Sequence, residues 1–191
     1  VIAYGARHPY YRGWNKIIVS SDKDFFQLCD DQTSIYRPIQ DKIITKQSIL
    51  DEFKIHPNNF ALARAIAGDS SDNLPGVSGV GLKTVAKRFP FMVDEKEQDC
   101  EKIITTCSMQ AKRLKLHENI IKSADLVKNN YKIMQLYNPN IRPINRIYID
   151  NSIIRFEPDF SKLNFLKMLF EDDCAYINFD NLIVNMKNIK R

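Results

Sequence analysis

The chain has 191 residues, 44% of them hydrophobic and 27% charged, with a net charge of +5 at neutral pH. That balance describes a globular chain of one or two domains and excludes a disordered or collagen-like one. The longest apolar runs, such as Ile17-Ile18-Val19, fall far short of the roughly 20 residues that cross a bilayer, and no charged-then-apolar leader is visible, so no membrane partner is expected.

Taken from the start, Val1-Ile2-Ala3-Tyr4 opens without Met and reads as the middle of an apolar helix with no capping residue before it. His8-Pro9-Tyr10-Tyr11-Arg12-Gly13-Trp14 is a loop whose aromatics either pack at a domain edge or stack on bases. Residues 16–20 are β-branched and form a buried strand that runs into Ser20-Ser21-Asp22-Lys23-Asp24. Ligands of open α/β sheets bind beyond the carboxyl ends of strands, so Asp22 and Asp24 are candidate cation ligands; Asp22 as the N-cap of a helix beginning near Lys23, with Phe25, Phe26 and Leu28 as its apolar side, is the structural alternative. Residues 34–37 and 42–44 are short strands around Pro38. Helices follow over 46–53 and 58–67, the second carrying Phe60, Leu62, Ala63, Ile66 and Ala67 at helical spacing.

The segment 68–84 concentrates the chemistry. Asp69 and Asp72 stand at i and i+3, a spacing that on a helical turn puts both carboxylates on one side, toward one hard cation. Pro75-Gly76 then turns the chain into Gly79-Val80-Gly81, where backbone N–H groups ahead of a helix over 83–89 favour an anion such as phosphate. Gly81 is expected to allow a close backbone approach or a positive φ. Alone, Asp-x-x-Asp also suits a solvated turn and Gly-Val-Gly a simple hairpin; their adjacency points to an enzyme acting on a phosphodiester backbone.

Helices are predicted over 94–105 and 108–128, then a return strand over 131–136 and a crossing loop marked by Asn138-Pro139-Asn140 and Arg142-Pro143. Between residues 102 and 132, seven basic residues (Lys102, Lys112, Arg113, Lys115, Lys122, Lys128, Lys132) face two acidic ones, a surplus as large as the whole chain's +5. Such a stripe either tracks phosphates or is a solvated helix face. An amphipathic helix starting at Asp159 runs through Phe170, and a mixed basic tail ends the chain. Cys29, Cys100, Cys107 and Cys174 lack Cys-x-x-Cys spacing and His8, His56 and His117 are scattered, which argues against zinc and for reduced thiols in a cytoplasmic protein.

Gly68 to Thr84, read with Ser20-Ser21-Asp22-Lys23-Asp24-Phe25, resembles the signature of the 5′ nuclease family: flap endonucleases, the 5′-3′ exonuclease domain of bacterial DNA polymerase I, and phage 5′-exonucleases including those called ribonuclease H. The resemblance runs from Val1 to about Leu136. It implies an α/β fold in which a partial PIN-like, Rossmann-like sheet (residues 1–57) leads into a mainly helical helix-hairpin-helix module (58–137) and a helical extension (138–191). It also implies a two-metal magnesium site, in which Mn2+ can substitute, with Asp22, Asp24, Asp69 and Asp72 as the second-metal group and as catalytic residues. A potassium ion at the hairpin is implied as well, with DNA contacts from Gly76, Val77, Ser78, Gly79, Val80, Gly81, Lys83, Thr84 and Lys87.

The implied reaction is phosphodiester hydrolysis near the 5′ end or 5′ flap of branched DNA or RNA·DNA, leaving a 5′-phosphate. Replication proteins such as a polymerase or a single-strand-binding protein would be partners, in a bacterial or phage-infected cell. In the family a metal-binding Glu-Ala-Asp-Asp helix runs directly into a Val-Ile pair like Val1-Ile2, so the expectation is a chain lacking the N-terminal half of the nuclease domain and its first-metal acids. Two alternatives stay open. Four acids count against a non-catalytic branched-DNA-binding module, because they repel phosphate; the hairpin counts against a PIN-type ribonuclease.

Overall fold

A helix that is apolar on every side has to sit at the centre of its domain, and α3 (Pro57–Ala67) is that helix. Pro57 opens it, where a missing N–H costs nothing, and His56 Nδ1 accepts the Asn58 N–H as its cap. Phe60, Leu62, Ala63, Ala65 and Ile66 are all buried. Around α3 pack the 3-10 turn Lys23–Leu28, α4 (Leu82–Arg88) and α7 (Ala124–Met134). The structure is a computed structural model that describes residues 1–111, 114–137, 140–156, 161–174 and 178–187. It forms two compact units, Val1–Ile154 and Arg155–Arg191.

In the first unit, β1 (Lys16–Val19), β2 (Thr33–Arg37) and β3 (Lys42–Ile44) form one sheet in the order β1-β2-β3. β1 runs parallel to β2 with Ile18 opposite Ile35, and β2 antiparallel to β3 with Ile35 opposite Ile44. Those three isoleucines make the buried face of the sheet, while Ile17 and Val19, on the opposite face of β1, stay 61% and 66% exposed. Phe26 and Phe53 close on Phe60 at ring-centroid distances of 5.4 and 5.3 Å, so residues 1–57 and 58–137 share one core. The remaining helices of this unit are α1 (Ile2–Ala6), α2 (Lys46–Phe53), α5 (Cys100–Met109), α6 (Lys115–Lys122) and α8 (Pro143–Ile154). The second unit contains α9 (Lys162–Glu171), capped by Ser161, and α10 (Phe179–Lys187). Among the described residues no helix is long and apolar enough to cross a membrane.

Several predicted elements differ from those observed. The helix expected over 94–105 begins only at Cys100, because Asn59 ties the preceding residues into a non-helical loop: its amide donates to the carbonyls of Met92, Asp94 and Lys96, and its Oδ1 accepts the Gln98 N–H. The helix expected over 108–128 is two helices, α6 and α7, broken at Ser123. The return strand expected over 131–136 is helical through Met134, since Val127, Asn130 and Met134 continue a buried stripe at helical spacing. Pro143, read as part of a crossing loop, instead opens α8. The calls on Lys112, Arg113, Asn138, Pro139, Asp159 and Phe160 lie outside the described residues, as does the end of the tail.

Candidate functional site

Two segments carry the four acids. After β1, Ser20 Oγ accepts the Asp22 N–H at 3.1 Å and Asp22 Oδ1 accepts the Asp24 N–H at 2.8 Å, so Asp22 caps the 3-10 turn that bears Asp24. After α3, Gly68 leaves the helix at φ +78°. Asp69 and Leu74 then exchange both backbone hydrogen bonds at 2.8 Å, closing a tight turn. Asp69 and Asp72 therefore lie on a bridged turn and not, as their spacing predicted, on one turn of helix. Asp69 Oδ1 accepts from the Ser71 N–H (3.0 Å) and hydroxyl (2.6 Å).

Arg64 joins the two segments. It is the one charge in the run Phe60-Ala61-Leu62-Ala63-Arg64-Ala65-Ile66-Ala67 and is 8% exposed. Its Nη2 lies 3.0 Å from Asp24 Oδ1 and donates to Asp69 Oδ2. Arg64 was not among the residues singled out from the sequence, although a lone charge inside an apolar helix marks it: a buried guanidinium needs partners. Asp22, Asp69 and Asp72, with Ser21, Lys23, Ser71 and Arg64, line a cleft of about 340 Å³.

The acids are electrostatically coupled but unequal. Burial pushes the Asp24 carboxyl above its ordinary range; Arg64 pulls it back, and the charges of Asp22, Asp72 and Asp69 push it up again. Asp69 moves the other way, held down first by the Ser71 hydroxyl and then by the Ser71 N–H and Arg64, against the effect of burial. Among the described residues no three His, Cys, Asp or Glu side chains converge into a ready-made metal cage, and the Arg64 guanidinium reaches both Asp24 and Asp69. The donor set is nevertheless all oxygen, and Asp24 Oδ1 is buried without a hydrogen bond. Such a set fits a hard hydrated cation, which needs only one or two direct carboxylates.

The hairpin begins at a backbone crossing. A Cβ on Gly76 would lie 2.0 Å from the Ala67 carbonyl oxygen, and one on Gly68 2.3 Å from the Gly76 nitrogen. Val77 N–H then donates to Ile66 O at 2.8 Å and Val80 N–H to Val77 O at 3.0 Å, with Val77 and Val80 buried. The left-handed residue of the hairpin is Gly79 (φ +76°). Gly81, expected to need a positive φ or close contact, has φ −100° and open space around it. Ser78, Gly79, Gly81, Lys83 and Lys87 are exposed, Gly76 and Thr84 half-buried. Asn119 of α6 ties this loop down, donating to Ser78 O at 3.2 Å.

The basic stripe is thinner than its composition implied. Lys128 pairs with Glu101 at 2.6 Å, and Lys102 donates to Gln98 and sits 4.4 Å from the Phe91 ring centroid. Lys115, Lys122 and Lys132 remain exposed.

No family model matches the chain. It is 37% identical over 84 residues to the 5′-3′ exonuclease of Aquifex aeolicus, covering 44% of this chain and 29% of that protein. With DNA polymerase I of Rhizobium leguminosarum it shares 29% identity over 136 residues, 71% of this chain and 13% of that one. The fold matches the flap endonuclease of bacteriophage T5, crystallised as a pseudo-enzyme-product complex with DNA and metal ions. That match has a TM-score of 0.59 at 20% identity, over 71% of this chain and 48% of that one. Over part of its length the chain is similar to proteins named 5′-3′ exonuclease and DNA polymerase I, and it shares the fold of the T5 nuclease. Its architecture is the partial PIN-like sheet and helical module of that fold. The chain spans about half of the T5 nuclease and less than a third of the two curated relatives.

Two predictions concern this geometry. Gly76→Ala should destabilise the chain by at least about 2 kcal/mol, the upper part of the range for single substitutions, because its Cβ meets rigid backbone, whereas Gly81→Ala should be close to neutral; urea denaturation of both variants measures the difference. Asp24→Asn in EDTA should melt above wild type at pH 7. Its folded pKa is raised, so ionised Asp24 opposes folding at neutral pH, and wild type recovers that stability as pH falls through the raised value, closing the gap below about pH 4. A lower melting temperature for Asp24→Asn at pH 7 would mean that the ion pair with Arg64 outweighs the cost of burial.

Proposed function

We propose that this chain carries the second-metal acids and the DNA-binding hairpin of a divalent-metal-dependent 5′ nuclease, hydrolysing phosphodiester bonds near 5′ ends or flaps of branched DNA or RNA·DNA. One observation carries the reading: two acid-bearing segments meet through one buried arginine, and a valine-anchored glycine hairpin leaves the second of them. A simple DNA-binding surface has no use for four carboxylates that repel phosphate. An enzyme that brings a dication between protein and phosphate does.

Asp24 and Asp69 are the inner pair and would hold Mg2+, or Mn2+ in its place, with Asp22 and Asp72 at the cleft wall binding through water. Bound there, the metal supplies Lewis-acid stabilisation of charge on the phosphate oxygens. Arg64 keeps the inner carboxylates side by side while the cleft is open. The exposed backbone of Ser78, Gly79 and Gly81 and the side chains of Lys83 and Lys87 face solvent as a group and would grip the phosphates of a duplex, placing its 5′ end toward the acids. The half-buried Gly76 and Thr84 and the buried Val77 and Val80 shape that loop. A K+ at the hairpin and a replication polymerase or single-strand-binding protein as partner belong to the same reading.

A second reading, a binding module without catalysis, is favoured by Arg64 itself, since its guanidinium already neutralises much of the inner acid charge. The two separate on a 5′-flap DNA incubated with Mg2+ and an intact 5′ nuclease that carries this chain together with the first-metal acids, since cleavage by this chain alone is not expected. The nuclease reading expects cleavage that Asp69→Asn/Asp72→Asn removes while gel-shift affinity survives. Lys83→Ala should weaken binding to all sequences alike and lower the slope of log K against log salt by about one, the loss of one phosphate contact. Binding without cleavage, unaffected by the double substitution, would favour the second reading.

A further inference from the structure

The four acids sit on two segments that do not follow one another in the chain, so something must set their spacing. Arg64 bridges them at the surface of the cleft. Beneath it, two buried side-chain amides, Asn130 and Gln27, tie the two segments to a third element, α7. Asn130, 2% exposed on α7, donates one hydrogen to Ala65 O at 3.1 Å and the other to Pro75 O at 2.8 Å. Those carbonyls flank the Gly68/Gly76 crossing, so one amide clamps both strands at the base of the Asp69–Asp72 turn. One turn further along, at the C-terminal end of α7, the helix meets Gln27, which is 1% exposed and lies on the Lys23–Leu28 turn that bears Asp24. The Gln27 side chain makes three bonds. Its Nε2 donates to Met134 O and to Asp24 O, both at 2.9 Å, and its Oε1 accepts the Leu136 N–H at 2.7 Å. The C-terminal half of the helix is therefore bonded to both acid-bearing segments.

We propose that α7 is the splint of the acid site, with Asn130 and Gln27 as positioning residues that hold the Asp22/Asp24 pair and the Asp69/Asp72 pair at the separation a shared cation requires. The inference rests on the metal-site reading above. Neither amide touches a carboxylate side chain; each acts through the backbone that carries one. Hydrophobic packing of α7 against α3 tolerates small slides of one helix on the other, but paired hydrogen bonds to fixed carbonyls do not. The same link couples the site to the hairpin, because Pro75 leads into Gly76 and Val77, and Val77 bonds to Ile66, the residue after Ala65.

The test uses the full chain and Mn2+ alone as probe. Free Mn2+ is followed by its electron paramagnetic resonance signal for wild type, Asn130→Asp and Gln27→Leu. Ile49→Ala, a core substitution on α2, serves as a control for simple loss of stability. Amide hydrogen exchange at Asp69 and Leu74, whose N–H groups close the acid turn, is measured on the same samples. Asn130→Asp loses a donor and faces two carbonyls with a carboxylate; Gln27→Leu keeps the bulk and loses every bond. Each should weaken Mn2+ binding about tenfold, the low end of what outer-shell partners of a metal site contribute, and Asn130→Asp should speed exchange at Asp69 and Leu74. Ile49→Ala should lower the melting temperature without either effect. If one amide variant fails to fold, the other still reports on the segment that it ties to α7. Wild type that binds Mn2+ while the folded amide variants bind it equally well would overturn the splint alone. Wild type that binds no Mn2+ would overturn the metal-site reading, and the splint's role with it.

Discussion

The buried guanidinium of Arg64 is the constraint on which the rest of the structure turns. A charge placed on the central apolar helix costs several kcal/mol unless it is paired and hydrogen-bonded, and α3 itself offers no carboxylate to meet it. Asp24 comes from the turn after the strand β1 and Asp69 from the turn after the helix, and both carboxylates meet the one guanidinium. Docking the Lys23–Leu28 turn against α3 thus joins a polar contact to a packing one, with Phe26 on Phe60 supplying the apolar part. Compensation is incomplete: Arg64 Nε and Asp24 Oδ1 are buried without hydrogen bonds. Unsatisfied groups of this kind persist where a site is built for something besides stability.

The hairpin uses the opposite strategy, with almost no charge in its foundation. Two glycines allow backbones to cross at distances no side chain permits, two valines plug the core, and Val77 N–H and Ile66 O fasten the loop to the end of α3. This leaves Ser78, Gly79 and Gly81 exposed over a rigid base. Rigidity matters for a surface that meets a regular duplex, because any ordering left to binding is subtracted from affinity. Lys83 and Lys87, one turn apart on α4, add charge without taking part in that base. Two lysines of the basic stripe, Lys102 and Lys128, are occupied by Gln98 and Glu101, so a count of basic residues overstates what a polyanion meets.

Legibility in the sequence followed the kind of force involved. Apolar periodicity over short range marked α2, α3 and α4, and β-branched runs marked the three strands, because burial writes itself into residue type at fixed spacing. The acids and the glycine hairpin were legible for a similar reason: carboxylates and glycines in that order have few structural uses. Elements governed by amides were not. Asn59 holds residues 94–98 out of a helix through bonds to backbone carbonyls that no local pattern foretells, and Asn130, just before a stretch whose Tyr131 and Ile133 imitate strand alternation, is instead a buried polar residue of a helix. Arg64 lies between the two cases. Its charge is conspicuous against Ala63 and Ala65, but its meaning depends on Asp24, forty residues away, and one sequence holds no record of that pairing. Local patterns name the candidate groups for chemistry; the buried polar groups proposed to set distances between them are defined only by the fold, since a hydrogen bond to a backbone carbonyl can be supplied from any part of the chain that reaches it.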